Sequence, residues 1–106
     1  MAEVELQYVF VDPGQHQEAL FSVLDAMNRY RDEETDTVSM DIHSSVTQIG
    51  LSRPVTGTSN HAEAQELGEE IRRGVENKFS QESRARLLAY FVGIVVKLTG
   101  DELALE

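Results

Sequence analysis

The sequence predicts an α+β domain of order βαββα with one further apolar element at its end, and three observations predict it. Apolar and polar residues alternate from Val4 to Phe10. Two later stretches carry apolar residues at spacings of three and four. Between them, two alternating runs are separated only by Ser44-Ser45.

The first strand has Val4, Leu6, Tyr8 and Phe10 on one side and Glu3, Glu5 and Gln7 on the other, the period of a sheet with one buried and one wet face. Val9 and Val11 interrupt that pattern, so both faces are expected to be covered at the strand's end. The chain then turns at Asp12-Pro13-Gly14. Asp12 suits an N-cap, Pro13 sits where no amide is needed, and Gln15 completes a capping-box-like pattern. Leu20, Val23, Leu24, Met27 and Tyr30 form the apolar stripe of the helix that follows. The run from Arg31 to Asp36 reads as its solvated exit.

Val38, Met40 and Ile42 precede Ser44-Ser45, and Thr47, Ile49 and Leu51 follow it. A two-residue hairpin loop sets Ile42 opposite Thr47, Met40 opposite Ile49 and Val38 opposite Leu51, which gathers every strongly apolar side chain except Val46 on one face. Ser-Ser is a poor loop, because it lacks the glycine or asparagine that favours positive φ. After the loop of residues 53–59, Asn60 with Glu63 reads as a second capping box. A helix is expected from about His61 to Phe79, with Ala64, Leu67, Ile71, Val75 and Phe79 as its stripe and Gly68 and Gly74 as weak points.

The last segment supports two readings. As a helix capped at Ser80 it gathers Leu87, Leu88, Phe91, Val92, Val95 and Leu98 on one side. As a strand, its Tyr90 to Leu98 stretch is apolar and β-branched. Gly93 beside Ile94-Val95-Val96 is poor helix material and favours a strand from Phe91 to Leu98 after a short helical or turn connection. With that strand the order is the split βαβ arrangement of the ferredoxin-like class; with a third helix, three strands carry three helices. Residues 1–104 read as a single domain, and Leu105-Glu106 as residues added in cloning.

Composition narrows the function. There is no cysteine, which excludes disulfides, thiol catalysis and iron-sulfur clusters. Nineteen Asp and Glu against nine Lys and Arg give a formal charge of -10, which repels phosphate backbones and anionic membranes. No direct nucleic-acid or membrane partner is expected. The acidity suits a salt-rich source, or a protein that mimics nucleic acid to occupy a basic partner. The acidic, alternating N-terminus lacks a secretory pattern, so a cytoplasmic protein is expected.

Candidate sites are few. His16, His43 and His61 are scattered and lack HExxH or HxH spacing; with Asp12 they are weak metal candidates, and no metal or other cofactor is expected. Asp12 and His16, four apart, are the one pair in which a carboxylate would orient an imidazole. The loop Thr56, Gly57, Thr58, Ser59 and Asn60 enters a helix, and with Arg53 it is the candidate cradle for a small anion, although it matches no phosphate-loop motif. Without a nucleophile elbow or a carboxylate pair in an apolar setting, nothing supports an enzyme. The remaining reading is a non-enzymatic protein-interaction module that self-associates as a dimer, with an inhibitor of a basic protein as one version and an anion sensor as the alternative. Val9, Val11, Val46 and alternate residues of the last strand are the expected interface.

Overall fold

The alternation at the start of the chain becomes β1 (Ala2–Val11), followed by α1 (Gln17–Tyr30), β2 (Thr37–His43), β3 (Val46–Val55), α2 (His61–Glu76), α3 (Gln81–Leu87) and β4 (Phe91–Leu98). The computed structural model describes residues 2–55 and 61–98. The four strands make one antiparallel sheet in the order β2-β3-β1-β4. Among the described residues no helix is long and apolar enough to cross a membrane.

The helices pack on a single face of this sheet. Val4, Leu6, Tyr8 and Phe10 of β1 and Ile49 and Leu51 of β3 are fully buried there, against Val23 and Met27 of α1 and Ile71 and Val75 of α2. Fully burying side chains of this size contributes about 1.5–3 kcal/mol each, so this layer supplies most of the driving force for folding. Gly68 lets α2 sit down on β4, since a Cβ there would lie 2.3 Å from the Ile94 side chain. What the sequence presents as a weak point of the helix is a point of close approach to the sheet.

The hairpin has the register that its alternation dictates, with Ile42 opposite Thr47, Met40 opposite Ile49 and Val38 opposite Leu51. The final segment follows the strand reading, with its short helical connection, and not the third-helix one. Ser80 caps a short α3 by accepting the Ser83 amide at 3.2 Å, a single turn of 3-10 helix spans Leu88–Tyr90, and the chain then extends as β4 beside β1.

Two local expectations are corrected. Asp12 does not cap a helix through its side chain: its backbone is left-handed (φ 53, ψ 63) and leads into a 3-10 turn at Pro13–Gln15, and α1 begins only at Gln17. Its amide instead donates to the Ser45 carbonyl at 2.7 Å, tying this corner to the hairpin. The exit of α1 is not wholly solvated either. Asp36 is buried, and accepts the Asp32 amide at 3.0 Å and the Thr35 hydroxyl at 2.9 Å, because it faces Arg53 across the sheet.

Candidate interaction surface at the β2 edge

A sheet of four strands is wider than the two long helices on it, and the strand left partly uncovered is β2. Met40 and Ile42 point to the helix side, like Ile49 and Leu51 beside them, yet they are 44% and 67% exposed. Phe21, on the flank of α1 facing away from the core, is 60% exposed. Between helix and strand runs a groove of about 260 Å³, lined by Pro13, Leu20, Phe21, Met40, Ile42 and Thr47, with Gly14 and Gln17 at its rim. Among the described residues no charged side chain lines it. The left-handed turn at Asp12 leads straight into Pro13, one of the lining residues, so the first corner of the chain borders this groove.

The outer side of β2 has no neighbouring strand among the described residues. A two-residue loop makes His43 and Val46 a hydrogen-bonded pair, so the amides and carbonyls of Val38, Met40 and Ile42 point away from β3 to the open edge. Edge strands are ordinarily guarded by lysine, proline, a bulge or a twist. The other edge of the sheet carries such guards: the register of β4 slips beside Gln7 and Tyr8, Val92 falls at the slip, and Lys97 lies near the end. β2, TVSMDIH, has no lysine, no proline and no bulge in its pairing with β3, and Asp41 is its sole formal charge.

The opposite sheet face, expected to be the apolar one, is polar at its centre. Glu5 is 5% exposed there, and its carboxylate accepts from Gln7 Nε2 at 2.6 Å and Ser52 Oγ at 2.7 Å and pairs with Lys97 Nζ at 3.0 Å. Burial alone would push its carboxyl up, but those three partners outweigh it and hold it below its ordinary value. Gly50 makes the room, since a Cβ there would lie 2.8 Å from the Glu5 carboxyl carbon. Val9, Val11 and Val46 lie beyond this cluster, where β1 and β3 meet the hairpin end, so the polar centre interrupts the apolar surface of this face.

The other candidate residues fall apart spatially. His16 does not meet Asp12: its Nδ1 lies 2.9 Å from the Tyr90 hydroxyl, and Tyr90 in turn stacks on Phe10 with ring centroids 4.5 Å apart. His43 is exposed at the hairpin end, on the polar face with Asp41. Among the described residues no group of three or more histidines, aspartates or glutamates is placed to hold a metal. Arg53 is clamped by Asp36 through two hydrogen bonds of 2.8 Å, and its guanidinium lies 5.6 Å from the Tyr30 ring centroid. Thr56, Gly57, Thr58, Ser59 and Asn60, the rest of the anion cradle, lie outside the described residues, as does the side chain of His61.

Alternation places Met40 and Ile42 on the face they share with Ile49 and Leu51, and the apolar stripe of α1 leaves out Phe21. One signal was available: Phe21 lies off the Leu20, Val23, Met27 stripe, next to the corner where the hairpin returns. No protein-family model matches the sequence, and no curated protein matches it.

Proposed function

We propose that this chain is a non-enzymatic protein-interaction module that binds by strand addition at β2, with the Phe21, Met40 and Ile42 groove receiving the side chains of the added strand. The carrying observation is the coincidence of an unguarded edge with exposed apolar residues on one side of it. Main-chain hydrogen bonds to the edge supply affinity, and alternate side chains dropping into the groove supply selectivity. Burying Ile42 and Phe21, each more than half exposed, favours association by about 1–2 kcal/mol apiece. The strand order, read with the chain order βαββαβ, supports placing the fold in the ferredoxin-like split βαβ class, in which β2 is an edge by construction.

The test is selection of random heptapeptides displayed on phage against the chain immobilised at low density. Enriched peptides should alternate apolar and polar residues, protect the amides of residues 38, 40 and 42 from hydrogen exchange, and fail to bind Met40→Lys. Absence of enrichment, or binders indifferent to Met40→Lys, overturns this reading.

A further inference from the structure

We infer that the strand added to β2 is β2 of a second copy, paired antiparallel about a two-fold axis at Met40, so that the two four-stranded sheets join into one continuous sheet. This rests on the strand-addition reading and names the partner for it.

A closed dimer needs a surface complementary to itself. The register about Met40 places Met40 opposite Met40, Val38 opposite Ile42 and Thr37 opposite His43, and it uses the full length Thr37–His43. All three apolar side chains then meet apolar partners on the groove side. On the other side Asp41 stands opposite Ser39, a hydroxyl donor, and not opposite its own copy. Moving the axis to Asp41 sets carboxylate against carboxylate, and like charges directly opposed destabilise a strand pair. The outward amides and carbonyls of residues 38, 40 and 42 meet their equivalents only when even-numbered positions oppose even-numbered ones, which the Met40 axis satisfies.

Charge points to the same occupant. The chain carries -10 overall, yet the groove lining has no charge and the strand only Asp41. A basic partner would find no acidic counterpart in this groove. An uncharged, alternating strand fits it, and β2, with its one carboxylate on the opposite face, presents such a side to the groove. Pairing two chains of -10 also predicts a distinctive salt response: added KCl screens their repulsion and strengthens the dimer, whereas binding of a basic protein would weaken.

The chain has no cysteine, so a single introduced one forms disulfides only between copies. Met40→Cys puts two thiols at facing positions, roughly 5.5 Å apart between Cα atoms and within disulfide reach. Thr37→Cys, also on exposed β2, leaves its two copies about six strand residues apart, roughly 20 Å. Under mild oxidation the Met40→Cys variant should cross-link and the Thr37→Cys variant should not. Light scattering should give a concentration-dependent dimer that tightens in molar KCl, and Met40→Lys should weaken it roughly tenfold or more. Met40 is 44% exposed and Thr37 is exposed, so neither substitution opens the core, and circular dichroism checks that each variant is folded. A monomer at all concentrations and salts, equal cross-linking at the two positions, or a dimer indifferent to Met40→Lys overturns the second copy as occupant. Peptide selection then decides separately whether strand addition survives with another partner or falls with it.

Discussion

Asp36 and Arg53, 17 residues apart in the chain, meet through parallel bonds of 2.8 Å from Nε and Nη2 to the two carboxylate oxygens, with the Asp36 side chain fully buried. The pair fixes the end of α1 and the start of β2 against β3, through the Tyr30 hydroxyl 3.5 Å from Nη2 and the Asp32 amide bound to Asp36. It therefore holds the strand that forms the proposed interaction edge. Removing one charge of a buried pair leaves the other uncompensated, which costs about 3 kcal/mol. Asp36→Asn is expected to lose that much in urea unfolding, with no change in the slope of the transition.

Stability should fall in acid for a reason that these contacts specify. Burial pushes the Asp36 carboxyl up, but Arg53 together with the Asp32 amide and the Thr35 hydroxyl pulls it below its ordinary 3.8, and the Glu5 carboxyl is likewise held below 4.5. A carboxyl whose folded pKa is depressed binds protons more readily in the unfolded chain. Its stabilisation is complete above the ordinary value and drains away as pH falls through it towards the folded pKa. The melting temperature should drop between about pH 5 and about pH 3, and the drop should be shallower in Glu5→Gln and in Asp36→Asn, each measured against its own value at about pH 7.

Tyr8 is the opposite case, a polar group whose removal helps. Its ring is fully buried, edge-on to Phe79 and Phe91 with centroids 6.2 and 5.8 Å away, and its hydroxyl has no hydrogen-bond partner among the described residues. Burial pushes the phenol pKa far up, so it remains protonated. Leaving a buried hydroxyl unpaired costs about 1–3 kcal/mol, and Tyr8→Phe keeps the ring while discarding that cost. The variant should be more stable by about 1 kcal/mol in thermal or chemical unfolding.

Local pattern made the hairpin legible, because period-two alternation on both sides of Ser44-Ser45 admits one register that buries Ile49 and Leu51 together. It also made Phe91 to Leu98 legible as a strand, through Gly93 and the β-branched run after it. It did not reveal that Met40 and Ile42 remain exposed: alternation assigns a face, and coverage depends on how far two helices reach across four strands. Glu5 reads as a wet residue for the same reason, since its burial is supplied by Ser52, Gly50 and Lys97 from other strands. Asp12 shows a further limit. Its composition suits a cap, but its left-handed backbone serves the turn between β1 and Pro13, a demand set by where the hairpin end lies.

The hairpin turn itself can be improved. Ser44 has φ 50, whereas Ser45 has no positive φ, the sign pattern of a type II′ turn, whose first central position favours glycine. A residue with a Cβ in that region is strained by about 1–2 kcal/mol. Ser44→Gly removes the strain, part of which is returned by the greater freedom of glycine in the unfolded chain, about 0.5–1 kcal/mol. A net gain of about 0.5 kcal/mol is expected, with the cross-strand contacts of Met40 and Ile49 unchanged by NMR.

Gly74 tests whether helix propensity or close packing governs α2. In an exposed helix, replacing glycine by alanine gains about 1 kcal/mol. Here a Cβ would lie 2.0 Å from a ring carbon of Tyr30, and the rigid ring has its hydroxyl near Arg53 and its face beside the guanidinium. Something must shift, and the shift propagates to the Arg53 and Asp36 pair at the base of β2. Overpacking of this kind costs about 1–3 kcal/mol, which exceeds the propensity gain. Gly14 is the control, because a Cβ there meets nothing within 4 Å and its φ is not in the left-handed range. Gly14→Ala should be neutral or gain up to about 1 kcal/mol by restricting the unfolded chain, while Gly74→Ala loses stability. Equal effects at the two positions would show that Tyr30 does not hold α1 against α2 as the contact implies.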